Sequence, residues 1–235
     1  MDYKRILTIQ DISCVGQCSL TVALPIISAC GVETAVLPSA VLSTHTGGFK
    51  GFTFRDLTED MPLIENHWNK EGIKFAAIYT GYLGSTKQID YVISIINSTL
   101  EADAKIIIDP AMADNGTLYY GFDDVFVKAM AKLCAKADYV LPNITEACFI
   151  TGSEYKTEYD KAYIMDLLQK LVANGAKNVI LTVDVLQTRD HGCGGLRERR
   201  VQILRAQEDS TRQPRHRRRL RIGFRGRANE RQTRL

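Results

Sequence analysis

The chain has 235 residues, of which 45% are hydrophobic and 24% are charged, and its formal net charge is +3. This length suits one substantial domain or two small ones, and the composition excludes collagen-like and wholly disordered chains. No apolar run reaches the roughly 18 residues of a membrane span, and the first residues lead directly into a strand-like segment without a signal peptide.

Hydrophobic spacing along the first 182 residues alternates between strand-like and helical segments. Buried apolar runs predict strands, and apolar residues recurring every three or four positions predict helices. Strands separated by helices indicate an α/β fold, with a mostly parallel central sheet and helices on both faces. In chain order, strands are predicted at 5–12, 32–41 (strand and loop), 74–79, 105–109, 139–141 and 179–182, and helices at 19–29, 56–69, 87–100, 123–135 and 160–173.

Basic residues are distributed unevenly along the chain. Residues 1–183 carry 13 Lys and 2 Arg against 21 acidic residues, whereas residues 184–235 carry 15 Arg, no Lys and 6 acidic residues. Phe224 is the only aromatic residue of the second segment. Such a segment cannot bury enough apolar surface to fold alone. We therefore expect an incomplete α/β domain at 1–183 and a disordered Arg-rich tail at 184–235.

Polar residues follow the predicted strands, at the sheet edge where parallel α/β proteins bind ligands. Acidic groups there can hold Mg²⁺, amides and hydroxyls can contact phosphate, and a polar pocket can take an acceptor hydroxyl, so the set suits phosphoryl transfer. Singly, each residue has a plainer interpretation: a turn at Asp109, a helix cap at Asn143 and Glu146, or a hydrogen-bonded loop residue at His45. The sequence contains no Gly-x-x-x-x-Gly-Lys-Ser/Thr motif, which argues against a P-loop enzyme.

Five motifs at these strand ends carry a family resemblance that covers about residues 4–182. They are ILTIQDISCVGQ, STHTGG, TGYLGS, IIDPAMADNG and ADYVLPNITEACFITG. With them, the chain resembles the pyridoxal (pyridoxine, pyridoxamine) kinases of the ribokinase-like superfamily. The resemblance implies a three-layer sandwich, a homodimer, and phosphorylation of the 5′-hydroxymethyl group of a vitamin B6 vitamer by ATP and Mg²⁺.

The resemblance also implies roles at the matching positions. Asp11 stands where the family usually has a serine that contacts the pyridine ring, and Tyr119 matches a tyrosine of a flap over the site. Asp109 and Glu146 would hold Mg²⁺ through water. In full, the implied substrate-binding residues are Asp11, Thr46, Gly47 and Tyr82, and the implied ATP-binding residues are Asp109, Asp114, Tyr119, Leu141, Asn143, Glu146 and Thr182.

The residues after Thr182 lack one essential motif of the family. The family continues with a Gly-x-Gly-Asp segment, whose backbone N–H groups form an anion hole and whose aspartate is the general base. This sequence has the Arg-rich segment instead. The resemblance therefore assigns no catalytic base to the chain as written.

The Arg-rich segment has two interpretations. It could be a nucleic-acid-binding arm, because clustered Arg supplies phosphate contacts. Alternatively, the reading frame changes near residues 183–187. Codons that encode 214–227, read one base later, permit His-Gly-Thr-Gly-Asp-Val-Tyr-Ala-Ser-Ala-Phe-Val-Gly, which restores the expected motif followed by an apolar helix. We favour the frameshift, and we expect the 235-residue chain to be inactive.

Two other functions stay open at this point: a hydroxymethylpyrimidine kinase of the same superfamily, and a non-catalytic nucleotide or B6 binder whose tail recruits nucleic acid. Our preferred interpretation expects a small-molecule substrate, a homodimer, and neither a membrane nor a nucleic acid as partner. We expect a cytoplasmic location, because six scattered cysteines without a Cys-x-x-Cys pair indicate reduced thiols.

Overall fold

A computed structural model describes residues 4–46, 48–186 and 197–205. The strands are β1 (Arg5–Ser13), β2 (Glu33–Leu42), β3 (Phe54–Asp56), β4 (Phe75–Thr80), β5 (Leu100–Ile108), β6 (Ala113–Asp114), β7 (Thr117–Leu118), β8 (Tyr139–Val140), β9 (Asn178–Leu186) and β10 (Arg197–Arg205). The helices are α1 (Leu20–Ala29), α2 (Met61–Lys70), α3 (Thr86–Thr99), α4 (Asp124–Cys134), α5 (Ile144–Thr151) and α6 (Lys161–Ala173).

Within the described residues, eight strands form one sheet in the order β10-β9-β8-β5-β4-β1-β2-β3. The six strands from β9 to β2 are parallel to one another, and β3 and β10 pair antiparallel at the two edges. The mostly parallel α/β fold predicted from the alternating pattern is therefore confirmed.

The direction of the crossovers decides which face of the sheet each helix covers. The chain moves one way along the sheet from β1 to β2, and the other way from β4 through β5 and β8 to β9. Right-handed crossovers therefore place α1 on one face and α3, α4 and α6 on the other. The packing agrees, because α2 to α6 form a continuous layer of neighbouring helices, whereas α1 packs on β1 and β2.

The hydrophobic core lies between the sheet and the layer of helices α2 to α6. Leu7, Ile78 and Ile108 point into it from neighbouring strands, and each is fully buried. Met130 of α4 and Leu167 of α6 close the core from the helix side and are also fully buried. This core fixes the parallel strands and thereby the loops at their carboxyl ends.

The opposite face of the sheet is only partly covered. Side chains there retain partial exposure, whereas their neighbours Ile108 and Val140 on the core face are 0% exposed. In the part of the chain that the structure describes, α1 is the helix that the topology places on this second face. We call the partly exposed apolar residues of β4, β5, β8 and β9 on this side the open face: Tyr79, Ile107, Tyr139 and Ile180.

The segment after residue 183 differs in part from the expectation of disorder. Strand β9 continues to Leu186, and Arg197–Arg205 pairs with it in antiparallel register. The physical reason is that the edge of β9 offers unpaired backbone groups, which a strand of almost any composition can satisfy. Residues 187–196 and 206–235 lie outside the described residues. No helix among those described is long and apolar enough to cross a membrane.

Candidate functional site

The site lies at the carboxyl ends of the parallel strands, where the direction of the sheet topology switches. Strands β1 and β4 are neighbours, yet their crossovers run in opposite directions, so a crevice opens between their ends. Asp11 lies near the end of β1, and Tyr82 lies just after β4. The structure therefore places two residues of the implied substrate set on the two sides of the switch point.

Asp11 is held at an irregularity of the sheet. The register between β1 and β2 shifts between Gln10 and Ile12, so that the β2 side has one extra residue at this point. Such bulges redirect side chains and are frequent next to active sites. Asp11 is 5% exposed, and its Oδ2 accepts a hydrogen bond of 3.1 Å from the Ser13 hydroxyl.

The loop after β2 contains Thr46, which is exposed, and Gly47, which lies outside the described residues. The backbone N–H of His45 donates to the carbonyl of Val15 at 3.1 Å, which joins this loop to the one after β1. Gly16 is required at the junction, because a Cβ there would lie 2.0 Å from Cδ2 of His45. The two loops thus form one wall beside Asp11.

Tyr82 is positioned by two buried side chains that the sequence analysis did not identify. The Ser39 hydroxyl donates to the Tyr82 carbonyl at 2.8 Å, and Gln88 Oε1 accepts from the Gly84 N–H at 2.8 Å. The Gln88 amide also donates to the Ser39 carbonyl at 3.0 Å and to the Thr58 hydroxyl at 2.8 Å. Gln88 therefore ties the Tyr82 loop to β2 and to the segment after β3.

The Tyr82 ring lies between the substrate-side carboxylates and an aromatic cluster. Burial, followed by the negative charges of Asp11 and Asp56, raises the pKa of the Tyr82 hydroxyl. The ring stacks on Phe122 with centroids 5.8 Å apart, and Phe122 lies 6.4 Å from the ring of Tyr119. This aromatic row connects the implied substrate residues with the implied nucleotide residues.

Asp109 follows β5 in the middle of the site. Its N–H donates to the Thr80 carbonyl at 3.0 Å, and its carboxylate accepts a hydrogen bond from the Tyr79 hydroxyl. Burial raises the pKa of Asp109 to about 7, against the opposing effect of the Tyr79 hydrogen bond. Asp109 therefore keeps its proton to a higher pH than an exposed aspartate does.

Asn143 and Glu146 form a reciprocal capping box at the start of α5. The Asn143 side chain accepts from the Glu146 N–H at 2.9 Å, and Glu146 Oε2 accepts from the Asn143 N–H at 2.8 Å. Glu146 Oε1 accepts from the Met112 N–H at 3.3 Å, and the Asn143 amide donates to the Ala113 carbonyl at 2.8 Å. The plainer interpretation, a helix cap, is thus correct for this pair, and the cap also anchors the loop after Asp109.

The buried carboxylates influence one another. Burial, followed by the negative charge of Asp109, raises the pKa of Glu146 well above its ordinary value, although main-chain N–H groups oppose this effect. Burial and then the charges of Glu146, Asp114 and Asp109 raise the pKa of the Tyr119 hydroxyl. Asp109, Asp114, Tyr119 and Glu146 are therefore close enough for their charges to interact, although Asp114 itself is exposed.

Asp114 and Tyr119 belong to the short β6–β7 hairpin. Asn115 and Gly116 form its turn with positive φ angles of 50° and 78°, the backbone that an Asn-Gly turn between two strands favours. The Gly116 N–H donates to the Thr145 hydroxyl at 3.0 Å, which fixes the hairpin to α5. The Tyr119 N–H donates to the Met112 carbonyl at 2.8 Å, and the Tyr119 side chain is 40% exposed at the mouth of the site.

The remaining implied nucleotide residues follow β8 and lie on β9. The Leu141 N–H donates to the Ile108 carbonyl at 2.9 Å, and the Thr182 N–H donates to the Pro142 carbonyl at 2.9 Å. Asn143 and Thr182 also form an isolated parallel bridge. Along the sheet edge the order is therefore Thr182, Asn143, Asp109, Tyr82 and Asp11, with the Asp109 carboxyl in the centre.

The carboxyl groups of Asp109 and Glu146, in the centre of the site, suit a hard cation such as Mg²⁺. Asp109 and Glu146 repel each other as carboxylates, and a divalent cation would relieve this repulsion. Mg²⁺ keeps several waters and is commonly bound by one or two carboxylates together with substrate phosphates. Among the described residues, there is no group of three or more His, Cys, Asp or Glu side chains that could enclose a metal alone.

A model of the phosphomethylpyrimidine kinase family matches residues 24–213 of the chain. The chain is 28% identical over 186 residues to the pyridoxal kinase of Dictyostelium discoideum, with 76% of this chain and 59% of that protein covered. It is 28% identical over 185 residues to the pyridoxal kinase of Arabidopsis thaliana, with 77% and 58% covered. The chain thus spans a little under three fifths of the length of these curated relatives.

Solved structures of similar proteins extend this finding. A protein described as a phosphomethylpyrimidine kinase from Bacteroides thetaiotaomicron VPI-5482, crystallised with pyridoxal, is 42% identical with a TM-score of 0.73, over 77% of this chain and 63% of that one. Pyridoxal kinase from Lactobacillus plantarum is 33% identical with a TM-score of 0.71, over 91% of this chain and 74% of that one. The chain therefore belongs to the phosphomethylpyrimidine kinase family, and the similarity to pyridoxal kinases predicted from its strand-end motifs is confirmed.

Proposed function

We propose that this chain carries the acceptor side and the magnesium side of an ATP-dependent pyridoxal kinase. The reaction would transfer the γ-phosphoryl group of ATP to the 5′-hydroxymethyl group of pyridoxal, pyridoxine or pyridoxamine. The observation that supports this most directly is the placement of Asp11 and Tyr82 across the switch point, next to the acidic pair Asp109 and Glu146. The pyridoxal bound in the Bacteroides relative points to the same acceptor.

In this proposal each part of the sheet edge has a role. Asp11, Thr46, Gly47 and Tyr82 bind the vitamer, and Leu141, Asn143 and Thr182 line the nucleotide side together with Asp114 and Tyr119. Asp109 and Glu146 would hold Mg²⁺ through water, and the ion would neutralise charge on the transferring phosphate. The proximity of the two carboxyls supports this role, because a divalent cation would relieve their mutual repulsion.

The chain as written has neither the general base nor the anion hole of its family. Loss of a general base typically costs about 10²–10⁴-fold in rate, and loss of one oxyanion donor costs about 10²–10³-fold. Either loss alone would bring a kinase close to background. We therefore propose that a frameshift near residues 183–187 separates this polypeptide from an active kinase, and that the active form is a cytoplasmic homodimer.

The test is to resequence the gene across the codons for residues 178–190, correct the frame, and assay the purified product with ATP and Mg²⁺. We expect ATP-dependent formation of pyridoxal 5′-phosphate. A second candidate is hydroxymethylpyrimidine kinase, because the matching family model carries a pyrimidine kinase description. Turnover of hydroxymethylpyrimidine without turnover of any B6 vitamer would establish that candidate and contradict the proposal.

A further inference from the structure

Asp11 is a buried carboxylate, and none of the ion pairs found among the described residues involves it. Its side chain is 5% exposed, and its hydrogen-bond partner is the neutral hydroxyl of Ser13. The ion pairs found among the described residues are all elsewhere: Arg5–Glu33, His67–Glu71, Lys87–Glu59, Lys170–Asp166 and Lys177–Asp138. Buried carboxylates are normally paired with a cation, because burial removes the water that stabilises their charge.

The surroundings of Asp11 add negative charge. The Tyr82 hydroxyl is influenced by both Asp11 and Asp56, so two carboxylates lie around one phenol at the substrate side of the crevice. Asp11 lies on β1 opposite the extra residue of β2, at the shift in the β1–β2 register. A ligand entering between β1 and β4 therefore meets a preformed negative group and an aromatic ring.

We propose that Asp11 is a specificity-determining residue that pairs with a protonated nitrogen of the substrate. The inference rests on the proposed function and goes beyond it, because it pairs one carboxylate of the chain with one charged group of the substrate. B6 vitamers offer two sources of this chemistry. One is the pyridinium N–H, which all three vitamers share, and the other is the ammonium of the 4-aminomethyl group, which pyridoxamine alone carries.

The experiment measures the affinity of the full 235-residue chain, kept in solution as a fusion with maltose-binding protein, for pyridoxal, pyridoxine and pyridoxamine by calorimetry. Binding requires no turnover, so the missing catalytic base does not affect the result. The variants are Asp11→Asn, which keeps an acceptor for Ser13 but removes the charge, and Asp11→Ser. The matched control is Glu65→Gln, because Glu65 is also a buried carboxylate that accepts serine hydroxyls, but it lies between α2 and α3.

We expect Asp11→Asn to weaken binding by about 10- to 100-fold, the range for a lost charge-assisted hydrogen bond, and Glu65→Gln to change it less than threefold. An equal loss for all three vitamers identifies the pyridinium N–H as the partner, and a loss confined to pyridoxamine identifies the ammonium. Melting temperatures show whether each variant is folded, and Asp11→Ser provides the comparison if Asp11→Asn unfolds.

Two results would overturn the inference, and only the second would also overturn the proposed function. If the wild-type chain binds the vitamers and Asp11→Asn binds them equally well, Asp11 has only a structural role and the proposed function stands. If the wild-type chain binds no B6 vitamer, the proposed function fails, and the inference fails with it.

Discussion

Gln88 is the side chain on which the substrate loop depends most. It is 0% exposed and bonds to four groups from three segments: the Gly84 N–H, the Ser39 carbonyl, the Thr58 hydroxyl and the Asp56 carboxylate. A leucine could fill the space but would leave the Gly84 N–H without its partner. The Ser39 carbonyl would still accept from the Leu57 N–H, and the Asp56 carboxylate would still bond to Thr58. Each buried unsatisfied group costs about 1–3 kcal/mol.

We therefore predict that Gln88→Leu, made in the frame-restored chain, lowers the free energy of unfolding by about 1–3 kcal/mol and weakens B6 binding. The control is Ser94→Ala on the same helix, which removes one hydrogen bond to Glu65 away from the strand ends. It should cost about 1 kcal/mol without changing affinity. Urea unfolding and calorimetry measure both quantities, and unchanged affinity in Gln88→Leu would contradict a positioning role.

Asp109 should make stability depend on pH. Because burial raises its pKa from 3.8 to about 7, the folded protein binds more protons at this group than the unfolded chain does between these pH values. Its contribution to stability therefore falls as the pH rises through this window and stays low above it. The neutral amide of Asp109→Asn removes this dependence.

We predict that Asp109→Asn is more stable than the wild type at pH 8 by on the order of 1–3 kcal/mol, and that the difference largely disappears at pH 4. Asp114→Asn, a change at an exposed carboxylate nearby, should shift stability by less than about 0.5 kcal/mol at both pH values. Unfolding curves at the two pH values decide the matter. An equal gain for Asp109→Asn at pH 4 and pH 8 would show that the burial argument is wrong.

At the scale of single elements, helix α5 has two roles that can be separated. Asn143 caps this helix, and Asp123 caps α4 in the same way, accepting from the N–H groups of Val125 and Phe126. Removing either cap should cost about 1 kcal/mol of stability. Only Asn143, however, lies beside Asp109 and Thr182 at the proposed nucleotide side.

We predict that Asn143→Ala and Asp123→Ala lose similar stability, whereas only Asn143→Ala binds Mg²⁺-ATP at least about tenfold more weakly, as the loss of one good polar contact implies. The comparison uses thermal unfolding for stability and calorimetry for nucleotide affinity. Equal nucleotide affinities in the two variants would reduce Asn143 to a helix cap.

The elements that sequence patterns predict well are the long periodic ones. Helix α3 was expected at 87–100 and lies at Thr86–Thr99, and β4 was expected at 74–79 and lies at Phe75–Thr80. Helix α5 was indicated only by its possible cap at Asn143 and Glu146, because its eight residues are mostly buried and show little amphipathic contrast. Strand β3 occupies the first position of the helix expected at 56–69, because tertiary pairing with β2 overrides the local pattern there.

The residues of the site can likewise be predicted only in part from the sequence. Carboxylates and glycines after strands are visible in the sequence, because loops at strand ends are where ligands bind. Ser39 and Gln88 are not visible, since a serine within a strand and a glutamine in an amphipathic helix look like surface residues. Ser39 bonds to Tyr82, which is 43 positions away, and Gln88 bonds to Thr58 and Ser39, which are 30 and 49 positions away, so only the fold brings these groups together.

At the scale of the whole molecule, we expect the open face to limit solubility. Tyr79, Ile107, Tyr139 and Ile180 present apolar surface on one side of the sheet, and such surfaces promote association. The curated relatives are longer than this chain, and a frame-restored product would supply an apolar helix able to cover this face. We therefore predict that the 235-residue chain is poorly soluble and that the restored product is soluble.

A pair of neighbouring substitutions tests this account of solubility. Ile180→Lys places a charge on the open face and should increase the soluble fraction of the 235-residue chain. Leu181→Lys lies one position further on, on the fully buried core face, and should decrease it. The soluble fraction after expression is measured for both. No gain for Ile180→Lys would show that the open face does not cause the association.

We propose that this chain has the acceptor-binding and magnesium-binding residues of a B6 kinase site but lacks the general base and the anion hole. The most direct test purifies the 235-residue chain and its frame-restored counterpart and compares their rates of pyridoxal phosphorylation with ATP and Mg²⁺. We predict activity in the restored protein and a rate at least about 10²-fold lower in the chain as written. Comparable rates in the two proteins would contradict the claim, because the Arg-rich segment would then have to rebuild the missing part of the site.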